Sequence, residues 1–283
     1  MNIKSALYAG ESLLRESGID ESFLNAELLL QQATGKSRSE IILSFETELS
    51  EQEEAKYFDL LTTRITRKPL QYITGIAEFY GRKFFVTQDV LIPRPETELI
   101  IDLVKSFSSG TQNYSVLDVG TGSGNIAITL KKELLNVKVV ATDISFSAIL
   151  NARWNARFHE IYSGIYFLCA DVFSSLKLSN KFHIIVSNPP YVPSHRIKDL
   201  EPEVKDFEPL IAINGGEDGL TIIKKIVSGA GNYLLPGGKL VIEIDSFQTN
   251  AVISMAEEAG TYSELLVQKD LAGLDRIFIA TRK

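Results

Sequence analysis

Ser115-Val116-Leu117-Asp118-Val119-Gly120-Thr121-Gly122-Ser123-Gly124 decides the fold. Its first half is a short apolar, β-branched run, the pattern of a buried strand. Its second half is a glycine turn, and Ile126, Ala127, Ile128 and Leu130 then begin a helix. A strand, a glycine turn and a helix start let a ligand come close to backbone. The turn alone leaves two ligands open. Gly122-Ser123-Gly124-Asn125-Ile126-Ala127 fits the dinucleotide pattern G-x-G-x-x-A. Gly120-x-Gly122-x-Gly124 after an acidic strand end fits S-adenosylmethionine (SAM) instead. SAM has no pyrophosphate, so its site needs room for a nucleoside and an amino-acid tail rather than an anion cradle.

Downstream the same arrangement recurs. The strand Val137 to Thr142 ends in Asp143, about twenty residues past the glycines, where a carboxylate suits the ribose hydroxyls of either ligand. A helix from Ser147 to Phe158 follows, with Ser145 as its cap. The strand Ile165 to Ala170 ends in Asp171-Val172-Phe173, where an adenine edge would lie; Asp171 serves equally well as a loop cap. The strand Phe182 to Ser187 runs into Asn188-Pro189-Pro190-Tyr191. Successive strand ends thus carry Asp118 with its glycines, Asp143, Asp171 and Asn188. Open α/β sheets bind ligands at the carboxyl ends of their strands.

The Asn188 turn has specific chemistry. The Asn188 side chain offers a carbonyl oxygen with two lone pairs. Pro189 and Pro190 have fixed φ and no N–H, so the turn is stiff and presents carbonyls without competing donors. Tyr191 adds a flat ring and a hydroxyl. These groups suit a planar amino group on an sp² carbon. Two carbonyl oxygens can grip its N–H bonds while a ring packs on its face. Such a nitrogen is a poor nucleophile, and holding both hydrogens steers its lone pair towards an electrophile. A plain strand-ending proline turn is the alternative.

The remaining segments complete an α/β alternation. Residues 201–219 read as a long polar loop, either a lid or, through Asp218, the cap of a helix from Leu220 to Tyr233. Pro236-Gly237-Gly238 turns into the strand Lys239 to Ile244. A helix from Gln248 to Glu258, a strand from Ser263 to Gln268, a turn and a last strand from Arg276 to Thr281 follow. This order predicts a mostly parallel sheet with one antiparallel strand at the end. Upstream, residues 1–75 look all-helical, with Leu7, Leu13 and Leu14 and then Phe23, Leu24 and Leu28 to Leu30 at helical spacing. Ser50 with Glu53 fits a capping box. The Glu46–Glu54 and Arg64–Lys68 charge clusters read as solvated faces. Phe79, Tyr80, Phe84, Phe85 and Val86, punctuated by Gly75 and Gly81, predict a β-hairpin within residues 70–93. In Ile92-Pro93-Arg94-Pro95-Glu96-Thr97-Glu98, Pro95 opens a helix and the acids favour its first turn. Arg94 and Glu96 are candidate pocket residues.

The 283 residues suffice for one large domain or for a large plus a small one. A net charge of −7 argues against a general electrostatic grip on nucleic acid. The single cysteine, Cys169, allows no internal disulfide, consistent with a reducing cytoplasm, and its strand setting predicts a small buried thiol. His159, His183 and His195 show no metal-ligand spacing, so no metal is expected. No signal peptide and no membrane span are read from the sequence.

These motifs together resemble the bacterial release-factor glutamine methyltransferases. The resemblance rests on Pro69-Leu70-Gln71-Tyr72-Ile73, Glu78-Phe79-Tyr80-Gly81, the Ile92–Glu98 stretch and Val116–Gly124. It continues through Ser187–Tyr191, Gly215-Gly216-Glu217-Asp218-Gly219-Leu220 and Asp270-Leu271-Ala272-Gly273. It implies an α/β fold, a seven-stranded, Rossmann-like SAM-dependent methyltransferase domain (residues 94–283). Ahead of it would stand a helical partner-docking domain (residues 1–75) and a β-hairpin linker (residues 76–93). It implies methyl transfer to the side-chain amide of the glutamine in the Gly-Gly-Gln motif of peptide chain release factors, in the cytoplasm, with no direct nucleic-acid partner. Gly120, Thr121, Gly122, Ser123, Gly124, Asp143 and Asn188 would hold SAM, and Val172 would pack on adenine, with Phe173 as a substitute. Asn188, Pro189, Pro190 and Tyr191 would bind the glutamine, with Asn188, Pro189 and Tyr191 catalytic. Glu243-Ile244-Asp245 departs from the family, which usually has Gly in place of Asp; that site reads as structural.

Three other readings remain open in the sequence. A methyltransferase acting on an exocyclic amine of adenine or guanine fits the Asn188 turn equally well, but the acidic charge opposes it. A non-enzymatic SAM-binding module conflicts with an intact glycine loop and turn. A nicotinamide enzyme lacks residues for hydride transfer.

Overall fold

The computed structural model of the protein describes residues 1–108, 114–134 and 136–283. The chain forms two compact units, residues 1–76 with 201–207, and residues 77–200 with 208–283.

The first unit holds helices α1 (Ile3–Glu16), α2 (Ser22–Thr34), α3 (Arg38–Leu43), α4 (Glu51–Ile65) and α5 (Leu70–Thr74). The Ser50 hydroxyl accepts the Glu53 N–H at 3.2 Å and the Glu53 carboxylate accepts the Ser50 N–H at 2.9 Å, the reciprocal cap that starts α4. Leu7, Leu14, Leu29, Leu30, Tyr57 and Leu61 fill the core. Residues 70–74 are helical, because Pro69 stands at the helix start and Gly75, at φ 74°, ends it. One expectation is corrected here. Arg64 is not on a solvated face. Its side chain is 8% exposed and donates to Asn25 Oδ1 at 2.9 Å, Lys68 O at 3.2 Å and Glu203 Oε1 at 3.1 Å. A run of basic residues does not reveal which one turns inward to find partners.

The hairpin of β1 (Ile76–Phe79) and β2 (Arg82–Phe85) comes next, in the second unit from Ala77 onward. Its two-residue turn, Tyr80-Gly81, has φ of 51° and 67°, the left-handed pair that matches strand twist. A 3₁₀ turn at Pro95–Thr97 leads into α6 (Glu98–Ser108). Then come β3 (Tyr114–Val119), α7 (Asn125–Glu133), β4 (Val137–Asp143), α8 (Phe146–Phe158), β5 (Ile165–Cys169) and β6 (Phe182–Ser187). After the short α9 (Pro202–Lys205, in the first unit) and α10 (Leu210–Ile213) follow α11 (Thr221–Ala230), β7 (Leu234–Glu243), α12 (Thr249–Ala259), β8 (Tyr262–Lys269) and β9 (Asp275–Arg282).

The sheet has seven strands in the order β5-β4-β3-β6-β7-β9-β8. All neighbours are parallel except β9, which runs antiparallel to both β7 and β8. The last strand of the chain therefore inserts between β7 and the edge strand β8. Strand order reverses between β3 and β6, which is where such sheets open a crevice. Alternate residues feed opposite faces. Val116, Val139 and Ile184 pack under α6 and α7, while Leu117, Ile185 and Leu240 pack under α11 and α12. Cys169, expected to be buried, is exposed. It ends β5, an edge strand that pairs with β4 on one side only. Among the described residues no helix is long and apolar enough to cross a membrane.

Candidate functional site

The carboxyl ends of β3, β4, β5 and β6 open on one cleft of about 1050 Å³ of empty space, part of it open to solvent. Gly120 to Ser123, Asp143 to Ser145, Ala170 to Val172 and Ser187 to Pro190 line it. The strand ends singled out in the sequence thus meet in one place. Gly124 and Tyr191 are not among the lining residues.

The glycine turn is shaped by backbone demands. Gly120, Gly122 and Gly124 have φ of 74°, 54° and 81°. A Cβ added at Gly120 or Gly122 would meet nothing within 4 Å, so conformation alone requires glycine there. Gly124 differs, because its Cβ would lie 2.9 Å from Ile128 Cδ1 and 3.0 Å from Ala152 Cβ. It lets α7 approach α8. The Gly122 N–H donates to Asp143 Oδ2 and the Ser145 N–H to Asp143 Oδ1, both at 2.9 Å. Burial raises the Asp143 pKa against the pull of these N–H groups. Beneath the turn, Asp118 is fully buried and accepts the Thr121 hydroxyl at 2.7 Å. Burial pushes its carboxyl up to about 7, opposed by the Thr121 bond.

Val172 lines the cleft with φ of 51°, a left-handed conformation that strains a β-branched residue. Phe173 turns away, stacked on Tyr233 at 4.8 Å and packed against Gly229. Asp171 pairs with Lys225 at 2.8 Å.

The Asn188 turn rests on a buried relay. Asn188 Nδ2 donates to Thr97 Oγ1 at 3.0 Å, and the Thr97 hydroxyl donates to Glu243 Oε2 at 2.6 Å. The Tyr191 hydroxyl donates to Glu243 Oε1 at 3.2 Å. Tyr191 thus braces the turn from behind through its hydroxyl. Glu243 is 1% exposed. Burial raises its pKa, while the Thr97 bond, the Arg276 charge and the Tyr191 bond oppose the rise. No described residue donates to Asn188 Oδ1 or to the Pro189 carbonyl. Both acceptors belong to residues lining the cleft.

The Gly215–Gly219 segment braces the same turn. A Cβ at Gly215 would stand 2.7 Å from Pro190 O, and one at Gly219 would stand 2.3 Å from Tyr191 O. Gln248 Nε2 donates to Tyr191 O and Gly219 O, each at 3.0 Å. Arg94 lines the cleft and donates to Glu208 Oε1 at 2.7 Å; Glu96 does not line it. Sequence reasoning missed Thr97, Asn155 and Gln248. Asn155 accepts the Phe85 N–H at 2.7 Å and donates to Phe85 O and Ser123 O at 2.9 Å, tying the hairpin to the glycine turn. An asparagine on the apolar face of α8 was the available signal.

Comparison with known proteins follows this geometry. A family model described as the PrmC N-terminal domain matches residues 5–75, and one described as the methyltransferase small domain matches residues 97–203. The release factor glutamine methyltransferase of Koribacter versatilis is 37% identical over 282 residues, covering 100% of this chain and 99% of the relative. That of Clostridium acetobutylicum is 36% identical over 283 residues, covering 100% and 99%. Two solved structures share the fold. A methyltransferase from Pyrococcus furiosus aligns with TM-score 0.53 and 19% identity, over 78% of this chain and 96% of that one. The 16S rRNA N2 G1207 methyltransferase of T. thermophilus, in complex with AdoMet and guanosine, aligns with TM-score 0.54 and 18% identity, over 74% and 50%. With full-length relatives at this identity and a seven-stranded sheet of the methyltransferase kind, the chain belongs to the release factor glutamine methyltransferase family.

Proposed function

We propose that this protein transfers a methyl group from SAM to the side-chain amide nitrogen of the glutamine in the Gly-Gly-Gln motif of peptide chain release factors, in the cytoplasm. The observation that carries the reading is the pair of undonated acceptors, Asn188 Oδ1 and the Pro189 carbonyl, on residues that line the cleft beside the glycine turn and Asp143. The cleft residues fit SAM. The bare backbone of Gly120 and Gly122 admits close approach, Asp143 presents carboxylate lone pairs to ribose hydroxyls, and Val172 offers an apolar wall for adenine. When bound, SAM supplies an electrophilic methyl group on a sulfonium.

Asn188 Oδ1 accepts one N–H of the glutamine amide and the Pro189 carbonyl accepts the other. Pro190 keeps the turn rigid. This grip turns the nitrogen lone pair out of conjugation and towards the cleft. No strong base is required of the protein, because an alkylated amide nitrogen gives up its proton readily. Positioning therefore carries most of the acceleration. Residues 1–75 are assigned to docking the protein substrate.

The test is methyl transfer from labelled SAM to purified release factor, beside a factor with that glutamine replaced by alanine and a nucleic-acid control. Label on the unmodified factor alone is expected. Label on nucleic acid, with none on the factor, would replace the substrate by a base amine, which the same acceptors also fit.

A further inference from the structure

We propose that Thr97 and Glu243 are positioning residues that fix which end of the Asn188 amide faces the substrate. The inference rests on the glutamine-amide reading above.

An asparagine amide has an acceptor end and a donor end of nearly the same shape. Only the acceptor end can hold a substrate N–H, so an unfixed amide would spend part of its time in an unproductive orientation. The relay removes that freedom. Thr97 has one hydroxyl proton, and Glu243 Oε2 receives it at 2.6 Å. The other Glu243 oxygen receives the Tyr191 proton at 3.2 Å. An ionised carboxylate only accepts, so the chain of bonds has one sense. Burial raises the Glu243 pKa, and the Thr97 bond, the charge of Arg276 (itself paired with Asp270 at 3.2 Å) and the Tyr191 bond oppose that rise; the relay has this sense in the ionised form. Thr97 Oγ1 then has only lone pairs left, and these select the NH₂ end of Asn188 at 3.0 Å. The Oδ1 is left for the cleft. The reverse orientation would set Asn188 Oδ1 against Thr97 Oγ1 with no proton between them. Thr97 and Glu243 are each 1% exposed, so bulk water does not stand in for either partner.

The test compares the full-length protein with Thr97→Val, Thr97→Ser, Asn188→Ala and the Thr97→Val/Asn188→Ala double variant. The readouts are kcat on release factor, SAM affinity and melting temperature. Thr97→Val keeps the shape and loses the hydroxyl; kcat should fall about 10- to 100-fold, with SAM affinity within about threefold. Thr97→Ser restores the hydroxyl and should return kcat to within about threefold of wild type. In the double variant the valine should add nothing to the asparagine loss, because Thr97 acts only through Asn188. If Thr97→Val melts early, Thr97→Ala, which only removes atoms, carries the same comparison. Wild-type kcat in Thr97→Val, or losses that multiply in the double variant, would overturn the relay and leave the proposed function standing. Wild-type kcat in Asn188→Ala, or no transfer to release factor by the unmodified protein, would overturn that function and the relay with it.

Discussion

Asp143 Oδ2 accepts the Gly122 N–H at 2.9 Å, which ties the tip of the glycine turn to the end of the neighbouring strand. The second oxygen is held by the Ser145 N–H, also at 2.9 Å. A carboxylate has about four acceptor positions, so one that shapes the turn can still accept from a ligand. Asp143→Asn sets an NH₂ group against one of these backbone donors. SAM affinity should weaken about tenfold or more, with a melting-temperature loss of roughly 2–6 °C, since one hydrogen bond is broken and one N–H orphaned. Calorimetric titration and a thermal melt read both. Unchanged affinity would limit Asp143 to shaping the loop.

Asn188→Ala removes the acceptor assigned to the substrate amide and leaves the glycine turn intact. The loss of one preorganised group at a reacting centre is about 10²- to 10³-fold in kcat. SAM affinity should stay within several-fold of wild type. The reverse pattern, lost SAM binding with normal turnover at saturating SAM, would move Asn188 from the substrate to the cofactor.

The strand ends were legible because the sheet imposes a rule. A β-branched run followed by a small or acidic residue marks a carboxyl end wherever it occurs, and the sheet brings those ends together. Asn188, Asp143 and the glycines could therefore be placed in one site from order alone. Thr97 and Glu243 could not. Thr97 meets Asn188 across 91 residues and Glu243 across 146, and nothing local distinguishes a threonine that opens a helix from one that carries a relay. The Tyr191 contact shows the same limit. The hydroxyl donates to a buried carboxylate on β7, 52 residues away in sequence. Cys169 was misread because strand composition does not say whether a strand is central or at an edge.

Gly219 and Gly237 separate bracing from backbone strain. Both have left-handed φ, 76° and 74°. A Cβ at Gly237 meets nothing within 4 Å, whereas one at Gly219 lies 2.3 Å from Tyr191 O and 2.8 Å from Gln248 Nε2. Alanine at either position should cost about 1–2 kcal/mol of stability through backbone conformation. Only Gly219→Ala should also displace the Asn188 turn and lower kcat, by about tenfold. Stability and turnover measured on both variants decide the point. Equal kcat in the two would mean that the 215–219 segment does not support the turn.

Asp118 makes a pH prediction whose sign follows from burial. Its carboxyl is pushed up from 3.8 to about 7 because the folded protein surrounds it with apolar groups. A raised folded-state pKa gives stability that is fully present below the unfolded value and is lost as pH rises through the folded one. The wild type should therefore lose stability between about pH 4 and about pH 7 through this group, by up to about 4 kcal/mol at about 1.4 kcal/mol per pKa unit. Asp118→Asn keeps an oxygen for the Thr121 hydroxyl and removes the ionisation. Its melting temperature relative to wild type should climb from about pH 4 to about pH 7 and level off above. The Asp143 charge adds to the rise at Asp118, so the difference reads the coupled pair and not Asp118 alone. Parallel melting profiles would show that Asp118 does not titrate in this range, and that its charge is balanced in the folded state by the donors around the turn.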